Sequence, residues 1–375
     1  MRTASAGSAA RQAVLILDDI EVDQRLWHEL SRSGFNVTSA STDHIELVLD
    51  AEPDLIFIDI ASISAPAFDL LDRVRQRQLS AGIVVLAPGD SEWEAIDLLR
   101  QGADDYLRYP PDPTSIRAVI DRTLARVDLR RANAALQERL AAELERAAMV
   151  QRELLPVANP SLRGFEVAAM CQPAREVGGD FYDWVQPGRG RFCFTLSDVM
   201  GKGMPAALMM ATVRATLRPL MGLCSASATL TLAHRALEQE LDRTGSFVTI
   251  FYGDLDLTSG RLQFADAGHG LVVVRDADGH SRKLDHRGLP LGVMRSPSYE
   301  TGSHSVQPGQ SLVLFSDGLL DALPDPSAIE AGIGEACQNA SSAAEIMEAL
   351  RDLVTRTTSI TDDASVLVIR RSMEA

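Results

Sequence analysis

The chain has 375 residues, 46% of them hydrophobic, which is more than one compact domain usually holds and enough apolar material for two cores; global disorder is excluded. Against 36 Lys and Arg stand 52 Asp and Glu, a formal net charge of −16, and a surface of that sign repels nucleic-acid phosphates. Cys171, Cys193, Cys224 and Cys337 form no CxxC pair or Cys/His cluster, and no apolar run reaches the roughly 20 residues of a membrane helix, so the chain reads as a reduced, cytoplasmic protein.

Residues 1–12 are small and polar, with no apolar signal-peptide core, and read as a disordered lead-in. Short buried strands follow at Val14–Leu17, Phe35–Thr38, Asp54–Asp59 and Gly82–Leu86, alternating with helical stretches such as Glu21–Ser33 and Ala67–Gln78. Strands hidden on both faces and separated by helices predict a doubly wound parallel sheet over 13–125. From Thr114 to Leu155 the chain has no strand signal, no Gly and no Pro. Leu129, Leu136, Leu140, Leu144, Ala147 and Leu154 form one apolar stripe, which predicts a helical, coiled-coil linker over 126–155 and hence a homodimer.

Pro156 and Pro160 end that helix, and the texture changes over 156–375. Strands are expected at Phe192–Leu196, Val248–Leu255, Arg261–Ala265, Gly270–Val274, Ser311–Phe315 and Ser365–Ile369. Helices are expected at Met204–Met221, Ser227–Arg243 and Ser342–Arg356, so the class is a layered α+β domain.

Two acidic constellations carry the chemistry. Asp18 and Asp19 follow the first strand and Asp59 ends the third. At the carboxyl edge of a parallel sheet such carboxylates converge, and they can hold a hard divalent ion. The stretches LILDD, DLIFIDI and GADDYLRYP resemble the receiver domain of bacterial response regulators, a flavodoxin-like fold. The resemblance implies Asp59 as phosphoacceptor, Mg2+ bound by Asp18, Asp19 and Asp59, and an upstream histidine kinase. Two positions depart from it. Ala87 stands where receivers carry a Ser or Thr, and Tyr109 stands where they carry the Lys before Pro110. Arg108 is a nearby cation, but on a strand it points to the other face. Phosphorylation-dependent switching is therefore expected to be weakened.

The second constellation is four separated Asp-containing turns, each beside a strand: Val177-Gly178-Gly179-Asp180, Ser197-Asp198-Val199, Ser316-Asp317-Gly318 and Thr361-Asp362-Asp363. One Asp-Gly turn is only a turn. In this order, with VQRELLP, FVTIFYGDLD, ADAGHG and LPLGV, they resemble the metal-dependent, protein phosphatase 2C-like family in its sporulation stage II protein E branch, over about 147–371. The resemblance implies an α-β-β-α fold and two Mn2+ or Mg2+ held by Asp180, Asp198, Asp317 and Asp362, with the Val199 carbonyl. Asp363 is left outside the ligand set. It also implies hydrolysis of phosphoserine or phosphothreonine by a metal-activated water with no protein nucleophile. The partner it implies is a phosphorylated anti-sigma-factor antagonist. His269 reads as a loop residue and Cys193 as core; Arg175 and Lys202 are candidate phosphate contacts.

The reading is a cytoplasmic response regulator whose output is a serine/threonine phosphatase. It has no nucleic-acid or membrane partner. The alternative is a sigma-factor-regulating adaptor that uses a phosphatase-like domain only to bind. Intact metal-ligand positions favour the enzyme.

Overall fold

The computed structural model describes residues 11–18, 24–46, 50, 52–63, 66–77, 80–284, 288–295, 297–323, 325, 329–357 and 361–373. The chain divides into two compact units, 1–141 and 142–375.

In the first unit β1 (Arg11–Ile16), β2 (Phe35–Ala40), β3 (Leu55–Asp59), β4 (Gly82–Pro88) and β5 (Asp105–Tyr109) form one parallel sheet in the order β2-β1-β3-β4-β5. Both faces are apolar, because alternate residues of each strand feed different cores. Val14, Ile16, Ile56, Ile58, Ile83 and Val85 meet α2 (Ala67–Gln76) and α3 (Glu92–Arg100). Leu15, Phe57, Val84 and Leu107 meet α1 (Gln24–Arg32) and the start of α4 (Pro113–Leu154). Arg11 and Gln12 already belong to β1, two residues inside the expected lead-in; residues 1–10 lie outside the described residues.

Helix α4 begins where the chain dictates. The Asp112 carboxylate accepts from the backbone N–H of Thr114 and Ser115 at 3.0 and 3.1 Å, and Pro113 occupies the first helical position. The Ser115 hydroxyl and these amides pull the Asp112 carboxyl down to about 2. Ile116, Val119 and Ile120 are buried in the first unit, while Leu129, Leu136 and Leu140 are exposed. The helix runs 42 residues without a break and stops two residues before Pro156.

The second unit is two antiparallel sheets. One has the order β13 (Gly302–Ser305), β10 (Arg261–Ala267), β9 (Val248–Asp256), β8 (Arg191–Val199), β7 (Phe181–Gly188). The other has β12 (Ser281–Lys283), β11 (Val272–Arg275), β14 (Ser311–Phe315), β15 (Ala364–Arg371), β6 (Phe165–Gln172). Their inner faces make one core from Trp184, Phe192, Phe194, Phe251, Phe264, Leu314 and Leu367. The outer face of the first sheet packs on α5 (Met204–Leu217) and α6 (Ala226–Thr244) through Met210, Val213, Leu230 and Leu237. The outer face of the second packs on α7 (Ile329–Ala336) and α8 (Ala343–Arg356) through Ile333, Ile346 and Leu350. The period-2 alternation is visible within β9, where Ile250 and Tyr252 face the helices and Phe251 faces the other sheet. The layers are therefore α-β-β-α. No described helix is long and apolar enough to cross a membrane.

Candidate functional site

Asp18 lies just after β1, with Thr42 opposite it at the end of β2. Its carboxylate accepts from the Thr42 backbone N–H at 2.7 Å and from the Thr42 hydroxyl at 2.8 and 3.0 Å. The protein thus already partners Asp18 through a buried threonine. Asp59 ends β3, and its carboxylate accepts from Ala61 N–H at 3.1 Å. Asp19 lies outside the described residues. The β3–β4 register sets Asp59 opposite Leu86, and Ala87 follows with its methyl group fully buried. Arg108 is drawn away: its guanidinium crosses Gly89 to Glu92, 3.7 Å off. Tyr109 is 41% exposed.

The second site is built at one end of both sheets. Phe181 pairs with Ser197 across β7 and β8, which puts Asp180 and Asp198, one residue further on, at the same edge. Phe315 pairs with Val366 across β14 and β15, so Asp317 and the Asp362-Asp363 turn leave that sheet at the same end. Each carboxylate feels its neighbours. Burial, and then the charge of Asp198, push the Asp180 carboxyl well above its ordinary range, although the Ser316 and Ser365 hydroxyls pull the other way. Burial, then Asp317 and Asp362, lift Asp198 to about 7. Burial and Asp362 raise Asp317.

The turn that presents Asp180 is braced from two sides. Asp363 accepts from Ala174 N–H at 2.8 Å and Gly179 N–H at 2.6 Å. Gln151, in the last turn of α4, donates to the Gly178 carbonyl at 2.6 Å and accepts from Gly178 N–H at 3.1 Å. The backbones come so close that a Cβ at Gly179 would lie 2.5 Å from the Val199 carbonyl oxygen, and one at Gly178 2.2 Å from the Asp363 carboxylate. Glycine is needed for contact, not for an unusual φ. Asp363 is thus the buried brace of the Asp180 turn, and Asp362 beside it is part-exposed.

Asp180 Oδ2 is buried with no hydrogen-bond partner among the described residues. A buried carboxylate oxygen without a partner, with further carboxylates and a carbonyl beside it, is a donor set that suits Mg2+ or Mn2+, so the residues present fit such ions. Among the described residues no three His, Cys, Asp or Glu side chains are gathered closely enough to hold an ion as they stand. Asp362 is instead turned onto Lys202, whose Nζ lies 2.9 Å from Oδ2.

The remaining candidates fall into place. His269 is buried, its N–H donates to Asp266 at 2.7 Å, and burial lowers its imidazole to about 4, so it is a neutral loop residue. Cys193 is core. Arg175 is exposed and lies beside Gly203. One group was not legible in the sequence. Asp183, 1% exposed within β7, is ion-paired to Arg214 at 3.1 Å and to Arg218. Its only signal was a basic i, i+4 pair at the end of α5.

Residues 188–372 match the family model described as Stage II sporulation protein E (SpoIIE). The phosphoserine phosphatase RsbU of Bacillus subtilis (strain 168) is 28% identical over 246 residues, covering 64% of this chain and 72% of the relative. Protein IcfG of Synechocystis sp. (strain ATCC 27184 / PCC 6803 / Kazusa) is 28% identical over 207 residues, 48% of this chain and 33% of IcfG. The alkaline phosphatase synthesis transcriptional regulatory protein PhoP of Bacillus subtilis (strain 168) is 32% identical over 120 residues, 31% of this chain and 50% of PhoP. The chain thus spans a third of one of these curated relatives and half of another. Among solved structures the SiaA-PP2C domain of Pseudomonas aeruginosa superposes with a TM-score of 0.54 at 22% identity, covering 63% of this chain and 99% of that one, and shares the fold.

Proposed function

From a C-terminal SpoIIE-type PP2C phosphatase domain and a receiver-like N-terminal unit, we propose that the chain is a response regulator whose output is metal-dependent dephosphorylation of phosphoserine or phosphothreonine on a regulatory protein. The observation that carries this is the cluster of Asp180, Asp198, Asp317 and Asp362, in which Asp180 is buried and its Oδ2 lacks any hydrogen-bond partner among the described residues. Asp180, Asp198, Asp317, Asp362 and the Val199 carbonyl would hold two Mn2+ or Mg2+. When bound, such a pair supplies an activated water and offsets charge on the phosphoryl oxygens. The chain's own contribution is positioning: Asp363 and Gln151 fix the Asp180 turn, and Arg175 lies at the rim beside Gly203, where a phosphoryl group can meet its guanidinium.

RsbU is named a phosphoserine phosphatase, which supports phosphoserine as the substrate group. An anti-sigma-factor antagonist is the proposed carrier. The test is phosphate release by the full-length chain from a phosphoserine-bearing protein of that class, with Mn2+ and with chelator. Release that needs Mn2+ is expected. Tight binding of the partner with no release, at any Mn2+ concentration, would instead identify an adaptor.

In the receiver-like unit the proposed acceptor is Asp59, with Mg2+ held by Asp18, Asp19 and Asp59 and a histidine kinase upstream. The leucines of α4, exposed at Leu136 and Leu140 and half-buried at Leu144, are proposed to meet those of a second copy. Leu136, Leu140 and Leu144 would each contribute about 1.5–3 kcal/mol if fully buried there. Changing all three to polar residues should therefore give monomers by light scattering at micromolar concentration. Native chains that are monomeric throughout would remove the dimer.

A further inference from the structure

Lys202 lies in the turn from β8 to α5, between two glycines of positive φ, Gly201 at 103° and Gly203 at 69°. Its ammonium donates to the Thr361 carbonyl oxygen and lies 2.9 Å from Asp362 Oδ2, so it ties two turns that are 159 residues apart in the chain. Lys202 and Asp362 are 34% and 37% exposed, open to exchange with solvent.

The four carboxylates are therefore not equivalent. Asp180 and Asp198 have no ion-pair partner among the described residues, and Asp180 Oδ2 has no hydrogen-bond partner either. Asp362 alone already holds a cation of the protein's own. An ammonium and a divalent ion compete for one carboxylate oxygen, because their like charges repel within a few ångströms.

We propose that Lys202 is a resident counter-cation of the metal centre. In the metal-free chain its ammonium neutralises Asp362 and turns that carboxylate away from Asp180 and Asp198; the incoming ion displaces it. The inference rests on the metal reading given above and goes beyond it, because it assigns the order of events at Asp362. It makes metal uptake an exchange of cations, and so weaker than the carboxylates alone would give. The ammonium, once displaced, stays on the rim through its short connection to the glycine turn.

The experiment is direct titration of the full-length chain with Mn2+ by calorimetry, together with thermal unfolding in chelator and in Mn2+. Lys202→Met should bind the more weakly held ion about fivefold to tenfold more tightly than the native chain, since a competitor and a nearby like charge are both gone. The same variant should unfold at a lower temperature in chelator, where Asp362 has lost its cation. Lys202→Arg should keep the native affinity within about twofold. An unchanged or weaker Mn2+ affinity in Lys202→Met overturns the proposal. A pure substrate contact would show itself that way, with KM raised and the titration unmoved. Lys202→Gln is the second variant. If both Met and Gln variants are unfolded even with Mn2+, the ammonium is a fixed staple and the exchange is refuted. Asp180→Asn separates this proposal from the one beneath it. If the native chain takes up no Mn2+, or Asp180→Asn takes it up unchanged, the metal reading fails and takes this one with it. If only the Lys202 variants behave as native, the exchange alone fails.

Discussion

The two acidic sites hold comparable numbers of carboxylates and treat them in opposite ways. At the first, Asp18 is satisfied by the amide and hydroxyl of Thr42, and Asp59 by the amide of Ala61. At the second, Asp180 is buried, Asp198 half-buried and Asp317 exposed at the rim, and desolvation and mutual repulsion raise all three. A carboxylate oxygen that already accepts hydrogen bonds gains less from an ion than a bare one. A buried oxygen left bare, as Asp180 Oδ2 is among the described residues, needs one. The count of acids is therefore a poor guide to a metal site, and the state of their lone pairs is a better one.

The comparison is broken most severely by taking a ligand from the second site. Asp180→Asn, in a chain that stays folded by circular dichroism, should lower Mn2+-dependent phosphate release by about a thousandfold or more, near 4 kcal/mol of transition-state stabilisation. Chelation of the native chain should do the same, and wild-type turnover in the variant at saturating Mn2+ would refute the site.

Next comes the buried ion cluster beside it. Asp183→Asn leaves Arg214 and Arg218 without their counter-charge, and should cost about 3 kcal/mol in urea unfolding. A change under 1 kcal/mol would mean that the cluster is hydrated and incidental.

The third effect is a slope. Folding raises Asp198 from 3.8 to about 7, and raises Asp180 and Asp317 as well. Between those values the folded, metal-free chain holds protons that the unfolded chain has released. As far as these groups decide it, its stability is therefore greatest below about pH 4. It falls as pH rises to 7, by at most about 1.4 kcal/mol per pH unit for each proton concerned. Mn2+ uptake should release those protons and tighten over the same window. A metal-free chain whose melting temperature rises from pH 5 to 7.5 would contradict the uncompensated cluster.

The smallest effect belongs to the first site. With Ala87 and Tyr109 in place of hydroxyl and ammonium, beryllofluoride at Asp59 should alter phosphatase activity less than about threefold, a coupling under about 0.7 kcal/mol. A tenfold change abolished by Asp59→Asn would show that the receiver signals without those groups.

What the sequence made legible follows from the range of each signal. The parallel sheet was readable because its strands are continuous apolar runs such as Leu55–Ile58, and Asp59 marks where one ends. Helix α4 was readable from an unbroken run between Pro113 and Pro156. Strands β6 and β7 were not identified: β6 is diluted by Ala168 and Ala169, and β7 starts directly after the acidic turn and carries Asp183. Helix α7 was missed because Gly332 and Gly334 lie within it. The acidic turns were visible singly, and the family resemblance suggested that they meet. The pairs that give the site its character could not be read: Gln151 with Gly178, Asp363 with Gly179, Lys202 with Asp362, and Asp183 with Arg214. Each joins residues that no local period connects.

Asp180 and Asp198 come from one sheet of the sandwich, and Asp317 and Asp362 from the other. An ion pair gripping all four would clasp the two leaves of the domain at the end where their own charges push them apart. Ligands that bind only the folded state add stability by mass action, about 2.7 kcal/mol at a hundredfold excess over Kd. The atoms proposed to serve hydrolysis would then also set how long the protein survives in a cell full of proteases. Copies made while manganese is scarce would be inactive and also short-lived, so that the supply of the metal would be recorded in the abundance of the protein.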